Sequence, residues 1–308
     1  MKIAIIGAGV SGGFLARALT QAGMTVEVYE KARGPGGRTA TRRFSLDGTD
    51  YFIDHGAQYI DVDSVEFQSF IDEMKEAGVV ASCGDTNVAT PNMNSLAKHL
   101  FKDIKVYSAY EVTNVDEIKA KYDLVISTAP PKQTAAIFQG YENFASLAQI
   151  EMKPHFALML ITESDYDFGF EQLGNEDFKV KESILNWIGI CTTKPGRDKG
   201  YQSIVMHTDF QWTQANLDKN RDEILELALE ELEKITGFKD PNPIYKAHHR
   251  WLYGRTLEPL GKEFIYDEEN NLACCGDYML GDNIEAAFLS ASALAAKIKT
   301  INHELTRK

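Results

Sequence analysis

Residues able to hold a phosphate-rich ligand cluster near the start of the chain: Gly7-Ala8-Gly9-Val10-Ser11-Gly12, then Glu30, then Gly34-Pro35-Gly36-Gly37-Arg38-Thr39. Glycines at the first spacing permit a tight turn, close approach of backbone to a pyrophosphate, and close packing of a helix on its strand. The helix that follows offers unpaired N–H groups and a positive dipole end to the anion, from Gly7, Gly9, Val10, Ser11 and Gly12 onward. Glu30, with Lys31 beside it, stands where a carboxylate accepts hydrogen bonds from an adenosine ribose. Arg38 carries a planar fork that matches phosphate oxygens. Taken alone, the first cluster serves NAD and FAD equally, and a ligand-free strand–helix turn shows the same pattern.

The second glycine cluster separates these readings. NAD-dependent dehydrogenases have no need of Gly36-Gly37-Arg38-Thr39 just past the acid. Flavoproteins of the amine-oxidase type carry such a segment, where more backbone and an arginine meet the pyrophosphate and the flavin edge. The cofactor expected is FAD, and no cysteine near Trp251 is suited to a covalent flavin link. The other end of the chain agrees: Ala273-Cys274-Cys275-Gly276-Asp277 reads as a strand ending in Gly-Asp, and a helix runs from Ile284 to about Lys299. In such flavoproteins the matching Asp reaches the ribityl chain, and the helix start (here Asn283, Ile284 and Ala287) points at the pyrimidine ring. Reduced flavin is anionic around N1 and C2=O, which a helix N-terminus stabilises. Asn283 is equally an ordinary helix cap.

The elements that must position these groups follow from periodicity. Lys2–Ile6 is an apolar strand, Phe14, Leu15, Ala18 and Leu19 mark an amphipathic helix, and Met24–Tyr29 is the second strand. Further on, Ser95–Phe101 reads as helix, and Lys105–Tyr107, Tyr110–Val115 and Leu124–Thr128 as strands. Backbone near Val112 is placed at adenine, Ala129 at a dinucleotide-fold crossover, and Pro130-Pro131 opens a helix to Phe138. Phe156–Ile161, Ile184–Ile190, Gln202–Thr208 and Ile244–Trp251 are strand-like, and Asp222–Ile235 is an amphipathic helix. Cofactor signals at both ends require a discontinuous domain. The expectation is an α/β chain (α+β overall) with a Rossmann-like FAD-binding domain over residues 1–60, 91–150 and 256–308. A β-rich substrate domain would be inserted at 61–90 and 151–255.

Composition bounds the function. A net charge of −13 over 308 residues argues against nucleic acid or an anionic membrane as partner. No apolar run approaches the roughly 18 residues that span a bilayer. The first strand runs straight into the glycine loop with no signal-peptide cleavage pattern. The four cysteines, including adjacent Cys274 and Cys275, suit buried thiols in a reducing cytoplasm, not a disulfide framework. No His/Cys/carboxylate constellation demands a metal, and the oligomeric state is left open.

With these residues in hand the chain resembles renalase and its bacterial homologues, a branch of the amine-oxidase flavoproteins with a p-hydroxybenzoate hydroxylase-like architecture. The resemblance rests on the glycine clusters, Asp54-His55-Gly56-Ala57-Gln58-Tyr59-Ile60, Met206-His207-Thr208, His249-Arg250-Trp251-Leu252-Tyr253 and Cys275-Gly276-Asp277. Gly56-Ala57-Gln58-Tyr59 looks like renalase more than the superfamily at large. The resemblance implies oxidation of dihydronicotinamide dinucleotides reduced at the wrong ring carbon. The hydride passes to flavin N5 and then to oxygen, giving NAD(P)⁺ and hydrogen peroxide. Amine-oxidase-type enzymes usually place a Lys near N5, on the strand matching Phe156–Ile161; here stand His155, Phe156 and Ala157, with Lys153 at the rim. That departure tells against amine oxidation. The stretch Trp187-Ile188-Gly189-Ile190-Cys191 is more apolar than in relatives, which carry a polar or charged residue near Cys191.

Candidate active-site residues are Gln58, Tyr59, His207, Trp251 and Trp187. His55, Gly56, Ala57 and Gln58 are placed beside the isoalloxazine. Gln58 and Tyr59 would offer a hydrogen bond and a stacking wall, or else form a satisfied buried turn. His207 is a catalytic candidate or a structural strand histidine. Trp187, Trp251 and Tyr253 form a candidate wall for a flat ring, against their plain reading as core. Hydride transfer from a dihydropyridine needs position above all, so no nucleophile or paired-carboxylate signature is expected.

Overall fold

The computed structural model describes residues 1–163, 178–179, 182–237 and 243–306. In chain order the first half contains β1 (Lys2–Ile6), α1 (Val10–Gln21), β2 (Thr25–Glu30), β3 (Thr41–Leu46), β4 (Thr49–Asp54), α2 (Val65–Glu76), β5 (Val80–Cys83), β6 (Thr86–Ala89), α3 (Asn94–Leu100), β7 (Lys105–Ser108), α4 (Asp116–Lys119), β8 (Leu124–Ser127) and α5 (Pro131–Ile137). The second half contains β9 (Met152–Glu163), β10 (Phe178–Lys179), β11 (Leu185–Ile190), β12 (Tyr201–Thr208), α6 (Phe210–Ala215), α7 (Arg221–Thr236), β13 (Tyr245–Thr256), β14 (Ile265–Asp267), β15 (Leu272–Cys274) and α8 (Ile284–Thr306).

The two ends of the chain share one sheet, in the order β14-β15-β8-β1-β2-β7, parallel throughout except for β14. A parallel sheet is buried on both faces, and its strands split accordingly. Ile3, Ile5, Val26, Val28, Leu124 and Ile126 enter a core with α1, α2, α3 and α8, whereas Ala4, Ile6, Tyr29 and Val125 face α4 and α5. This is the expected dinucleotide-binding architecture, with strands from residues 265–274 joining those of the N-terminal half.

The second sheet is antiparallel, in the order β10-β11-β12-β9-β13. Its even face, Phe156, Leu158, Leu160, Ile204 and Met206, packs on Ile224, Leu225, Ala228 and Leu232 of α7. Its odd face, Ala157, Met159, Ile161, Val205 and Ala247, is covered by the β3–β4 hairpin. Phe44 stacks at 4.1 Å on Tyr245, and the Tyr201 hydroxyl both donates to Phe52 O and accepts from Phe52 N, each at 2.9 Å. The hairpin therefore ties the end of the glycine segment to the substrate-side sheet.

Two expectations change. Residues 61–90 do not join the antiparallel sheet: Phe67, Phe70, Ile71, Met74, Val80 and Val88 enter the core of the parallel one. Ser64 caps α2, and Glu285 at the start of α8 accepts Asp63 N and Ser64 N at 2.7 Å each. Tyr110–Val115 is not a strand, and β7 forms the sheet edge. Local side-chain bonds win there. Glu117 accepts from Thr113 Oγ1 at 2.8 Å and Asn114 N at 3.1 Å, while Asn114 Oδ1 accepts Asp116 N at 2.9 Å, closing a turn just ahead of α4 instead.

Candidate active site

The turn after β1 is built so that side chains are excluded from it. A Cβ on Gly12 would lie 2.2 Å from Gly7 O, a backbone atom that cannot rotate away. Gly37 has φ +55°, and a Cβ there would lie 3.0 Å from Gly9 Cα. The two glycine clusters therefore touch through bare backbone, and Gly36 N donates to Ala8 O at 3.0 Å. Gly9 caps α1, whose first turn contains Val10, Ser11 and Gly12. Ala129 lies on the other side of Gly7, whose Cβ would meet Ala129 N at 3.5 Å. Glu30 is 9% exposed and clasps both sides of the turn: Oε2 accepts Ala8 N and Oε1 accepts Ala32 N, each at 2.7 Å. A narrow, amide-lined cleft at a helix N-terminus beside a carboxylate fits the diphosphate and ribose of a dinucleotide.

Arg38 differs from its expected use. Its NH1 and NH2 donate to Asp277 Oδ2 at 2.6 Å and Oδ1 at 2.5 Å. That end-on bidentate pair commits the fork to Asp277, so Arg38 joins the N-terminal segment to the C-terminal Gly276-Asp277 turn rather than presenting a free fork to phosphate. Burial pulls the guanidinium towards neutrality, but the Asp277 carboxylate outweighs it and the pKa is raised. Thr39 is buried, its hydroxyl bonded to Gly36 O at 2.8 Å. Gly56 stands against this segment, since a Cβ would lie 2.0 Å from Arg38 O, and Ala57 N donates to that oxygen at 2.8 Å. Asn283 caps α8, accepting Ala286 N at 2.8 Å, with Ile284 and Ala287 buried behind it. Lys31 lies at the surface, bonded to Gln133, and Val112 is buried under the parallel sheet.

Beyond Gly56 the chain meets the odd face of the antiparallel sheet. Register places Trp187, His207, Ala157 and His249 in one row across four strands, with His155 and Trp251 paired in the next. The rings touch: Trp187–His207 at 4.9 Å, His155–His207 at 4.7 Å and His249–Trp251 at 4.3 Å. Trp251 stacks on His55 at 5.5 Å, and its Nε1 donates to His55 O at 2.9 Å. Trp187, His207, His155, Trp251 and His249 are only half-buried, with Trp187 and Trp251 packed at the margin of the odd-face core. Burial holds these imidazoles neutral. With help from His249 and Arg42 it takes His55 down to about 3. With help from Arg255 it takes His155 to about 4, and with help from Arg42 it takes His249 to about 4. His207 is also pushed far down, by burial first and then by His155 and Lys194. His55 Nδ1, His155 Nε2 and His207 Nε2 have no hydrogen-bond partner among the described residues.

The sequence pattern did not single out the most consequential residue. Lys194, 1% exposed, donates from Nζ to Gln58 Oε1 at 2.6 Å and Gln58 O at 3.2 Å. The same Nζ sits 4.3 Å from the Tyr59 ring centroid and 5.9 Å from that of Trp187. Gln58 Nε2 in turn donates to Asp54 O at 2.8 Å and Gly56 O at 3.0 Å. Three residues on, Arg197 grips Asp54 Oδ2 through Nε at 3.0 Å and NH2 at 2.7 Å, with the two side chains 4% and 1% exposed. Cys191 Sγ approaches Asp54 O at 3.8 Å, and burial pushes its thiol up to about 11. The loop after β11 thus straps the segment from Asp54 to Tyr59. Gln58, Tyr59, Trp187, His207 and Trp251 all fall in this one region. The strand matching Phe156–Ile161 carries His155, Phe156 and Ala157 as read from the sequence, whereas Lys194 arrives from the β11–β12 connection, just past Cys191.

A dinucleotide-type turn, joined through Gly56 and His55 to a half-buried row of rings, fits a flavin- or nicotinamide-dependent oxidoreductase. Comparison with known proteins narrows the class. The profile of the flavin containing amine oxidoreductases matches residues 102–298, and that of an NAD(P)-binding Rossmann-like domain matches residues 5–74. The chain belongs to the flavin containing amine oxidoreductase family. Its cofactor is FAD, and it is an oxidoreductase. A putative protoporphyrinogen oxidase from Exiguobacterium sp. 255-15 superposes with a TM-score of 0.74 at 10% identity, over 97% of this chain and 98% of that one. Cyclohexylamine oxidase from Brevibacterium oxydans IH-35A gives 0.71 at 14% identity, over 98% and 99%. Putrescine oxidase bound to putrescine gives 0.64 at 14%, over 97% and 99%. At these identities the likeness is one of fold. Among the described residues no helix is long and apolar enough to cross a membrane, and no group of His, Cys, Asp or Glu is arranged to hold a metal ion.

Proposed function

We propose that the protein is a renalase-like oxidase of isomeric dihydro-NAD(P), taking hydride from the 2- or 6-dihydro forms and leaving NAD(P)⁺ and hydrogen peroxide. FAD supplies the two-electron acceptor when bound. The chain's own residues do the rest. The bare turns at Gly7–Gly12 and Gly36–Gly37 would take the diphosphate, Glu30 the adenosine ribose, and Asp277, held by Arg38, the ribityl chain. Gly276 and the first turn of α8, capped by Asn283, would face the pyrimidine side. His55, Gly56, Ala57 and Gln58 would border the ring system.

The observation that carries the reading is the row of touching, mutually tilted rings of Trp187, His207, His155, Trp251 and His249, uncharged at neutral pH. A dihydropyridine can lie along such a surface, and positioning of the donor carbon is the main catalytic requirement for hydride transfer. The charge balance agrees. Asp54 is committed to Arg197 and Asp277 to Arg38, while Lys194 has no carboxylate partner among the described residues. A protonated amine would therefore enter a cavity biased against it. Donor hydride brings two electrons and one hydrogen; oxygen takes both electrons, that hydrogen and a solvent proton to leave as hydrogen peroxide.

Amine oxidation is the competing reading, favoured by family membership. The test is aerobic turnover of NADH partly isomerised to its 2- and 6-dihydro forms, with hydrogen peroxide and NAD⁺ measured together. Equal yields of the two products from the isomers, with none from monoamines, support the proposal. Peroxide from a monoamine and none from the isomers transfers the assignment to amine oxidation.

A further inference from the structure

Two deeply buried carboxylates beside the segment from His55 to Tyr59 are held in ion pairs. Arg197 answers Asp54, which also accepts Thr41 Oγ1 at 2.6 Å and Met93 N at 3.0 Å. Arg38 answers Asp277. Among the described residues, Lys194 alone is a cation buried as deeply as a core leucine and satisfied only by neutral groups, the carbonyl and side-chain oxygens of Gln58 and the face of Tyr59. Burying a charge without a counter-ion is costly, and a lysine stem can ordinarily snorkel its ammonium to water. Here it does not, because Gly196, with φ +74°, packs against Thr90 and Arg197 bonds Ala89 O at 2.7 Å, holding the loop inward. The cluster of Lys194, Arg197 and Asp54 therefore carries one uncompensated positive charge, fixed behind Gln58 and Tyr59. Its reach is visible on His207, whose protonation Lys194 opposes.

We infer that Lys194 is a positioning residue that holds Gln58 in place and sets a positive potential at the flavin, favouring its reduced, anionic form over the oxidised, neutral one. The inference rests on the reading of the segment from His55 to Tyr59 as the border of the flavin ring, and not on the identity of the donor. Reduction by hydride adds one net negative charge to the site, so a fixed unit charge nearby shifts the equilibrium between the two states. A lysine held by Gln58 through two bonds also locks the Gln58 amide, whose Nε2 is then committed to Asp54 O and Gly56 O.

The test is the flavin midpoint potential of the FAD-loaded protein, measured by equilibration with a reference dye, so that no substrate is involved. Lys194→Met keeps the length and apolar volume and removes the charge. It should shift the reduced-to-oxidised ratio at a fixed potential by about tenfold towards oxidised, a lowering of ~30 mV for a two-electron couple. Lys194→Arg keeps the charge and should stay within about twofold of the unaltered protein. Gln58→Glu, which sets a carboxylate against Lys194 without touching it, should move the potential in the same direction as Lys194→Met, and it decides the matter if the methionine variant does not fold. An unchanged potential in the charge-removing variants, or equal lowering by Lys194→Arg and Lys194→Met, overturns the inference. Because the donor plays no part, a shifted potential in a protein that ignores dihydronicotinamides leaves this inference standing while the proposed substrate falls.

Discussion

Replacing Glu30 with alanine tests how the nucleotide turn is held together. From the sequence, loss of this carboxylate costs only a ribose contact. In the structure Glu30 is also the clasp of the turn itself, because Ala8 N and Ala32 N each donate to it at 2.7 Å. Hydrogen bonds to a charged group contribute roughly 1.5–3 kcal/mol each, and an amide left buried without an acceptor costs about 1–3 kcal/mol. The Ala8 bond is the buried one of the two, so Glu30→Ala should destabilise the apoprotein by about 2 kcal/mol. The ribose contact adds to this only when FAD is present, and should raise the FAD dissociation constant by roughly tenfold to a hundredfold. Glu30→Gln retains one acceptor and should fall between. Urea unfolding of the apoprotein gives the first quantity, and quenching of flavin fluorescence on titration with apoprotein gives the second. Unchanged apoprotein stability removes the clasp, and unchanged affinity removes Glu30 from the ribose site.

Three further outcomes follow from particular contacts. Gly12→Ala places a Cβ 2.2 Å from Gly7 O, so the turn must open, and the protein should purify without flavin, read from its absorbance spectrum. Arg197→Met leaves Asp54, 1% exposed, with an uncompensated charge; it should cost about 3–5 kcal/mol and lower the thermal midpoint by roughly 10 °C, with Asp54→Asn recovering part of the loss. The depressed imidazole pKa values of His55, His155 and His249, about 3, 4 and 4, mean that the unfolded chain binds more protons than the folded one below its ordinary histidine pKa near 6.5. Stability should be flat above about pH 7 and fall as pH drops from 6.5 towards 4, with His207 contributing in the same direction; a melting-point series across pH 8 to 5 that shows no decline would contradict neutral histidines.

The nucleotide half was legible because its demands fall on the backbone. At Gly7, Gly12 and Gly37 only the absence of a Cβ permits the approach, and such a requirement shows in a single chain. Trp187, His207 and Trp251 were legible as candidates because strand alternation puts them on the odd face of their sheet. Lys194 was not, since its role depends on a loop after β11 being strapped to Asp54, far away in sequence, by Arg197. The only signal was a Lys-Pro-Gly-Arg run just past an apolar stretch in which a polar residue was expected. Tyr110–Val115 misled because β-branched and aromatic content suggests a strand, while Thr113, Asn114 and Glu117 satisfy one another in a turn just ahead of α4. The placement of residues 61–90 turned on tertiary contacts, although Ser64 followed by Phe67, Phe70, Ile71 and Met74 carried the helix signal.

The most direct test of the proposed activity is anaerobic stopped-flow mixing of the FAD-loaded protein with one donor at a time, following loss of flavin absorbance. The expected order is fast bleaching by 2- or 6-dihydro-NAD(P), slow bleaching by ordinary 4-dihydro NADH, and essentially none by monoamines. Gln58→Ala and Trp251→Ala should slow the fast phase while FAD stays bound, because each loosens the placement on which hydride transfer depends. Faster reduction by a monoamine than by either isomer would contradict the proposed substrate and award the site to amine oxidation; no reduction by any of them would contradict both.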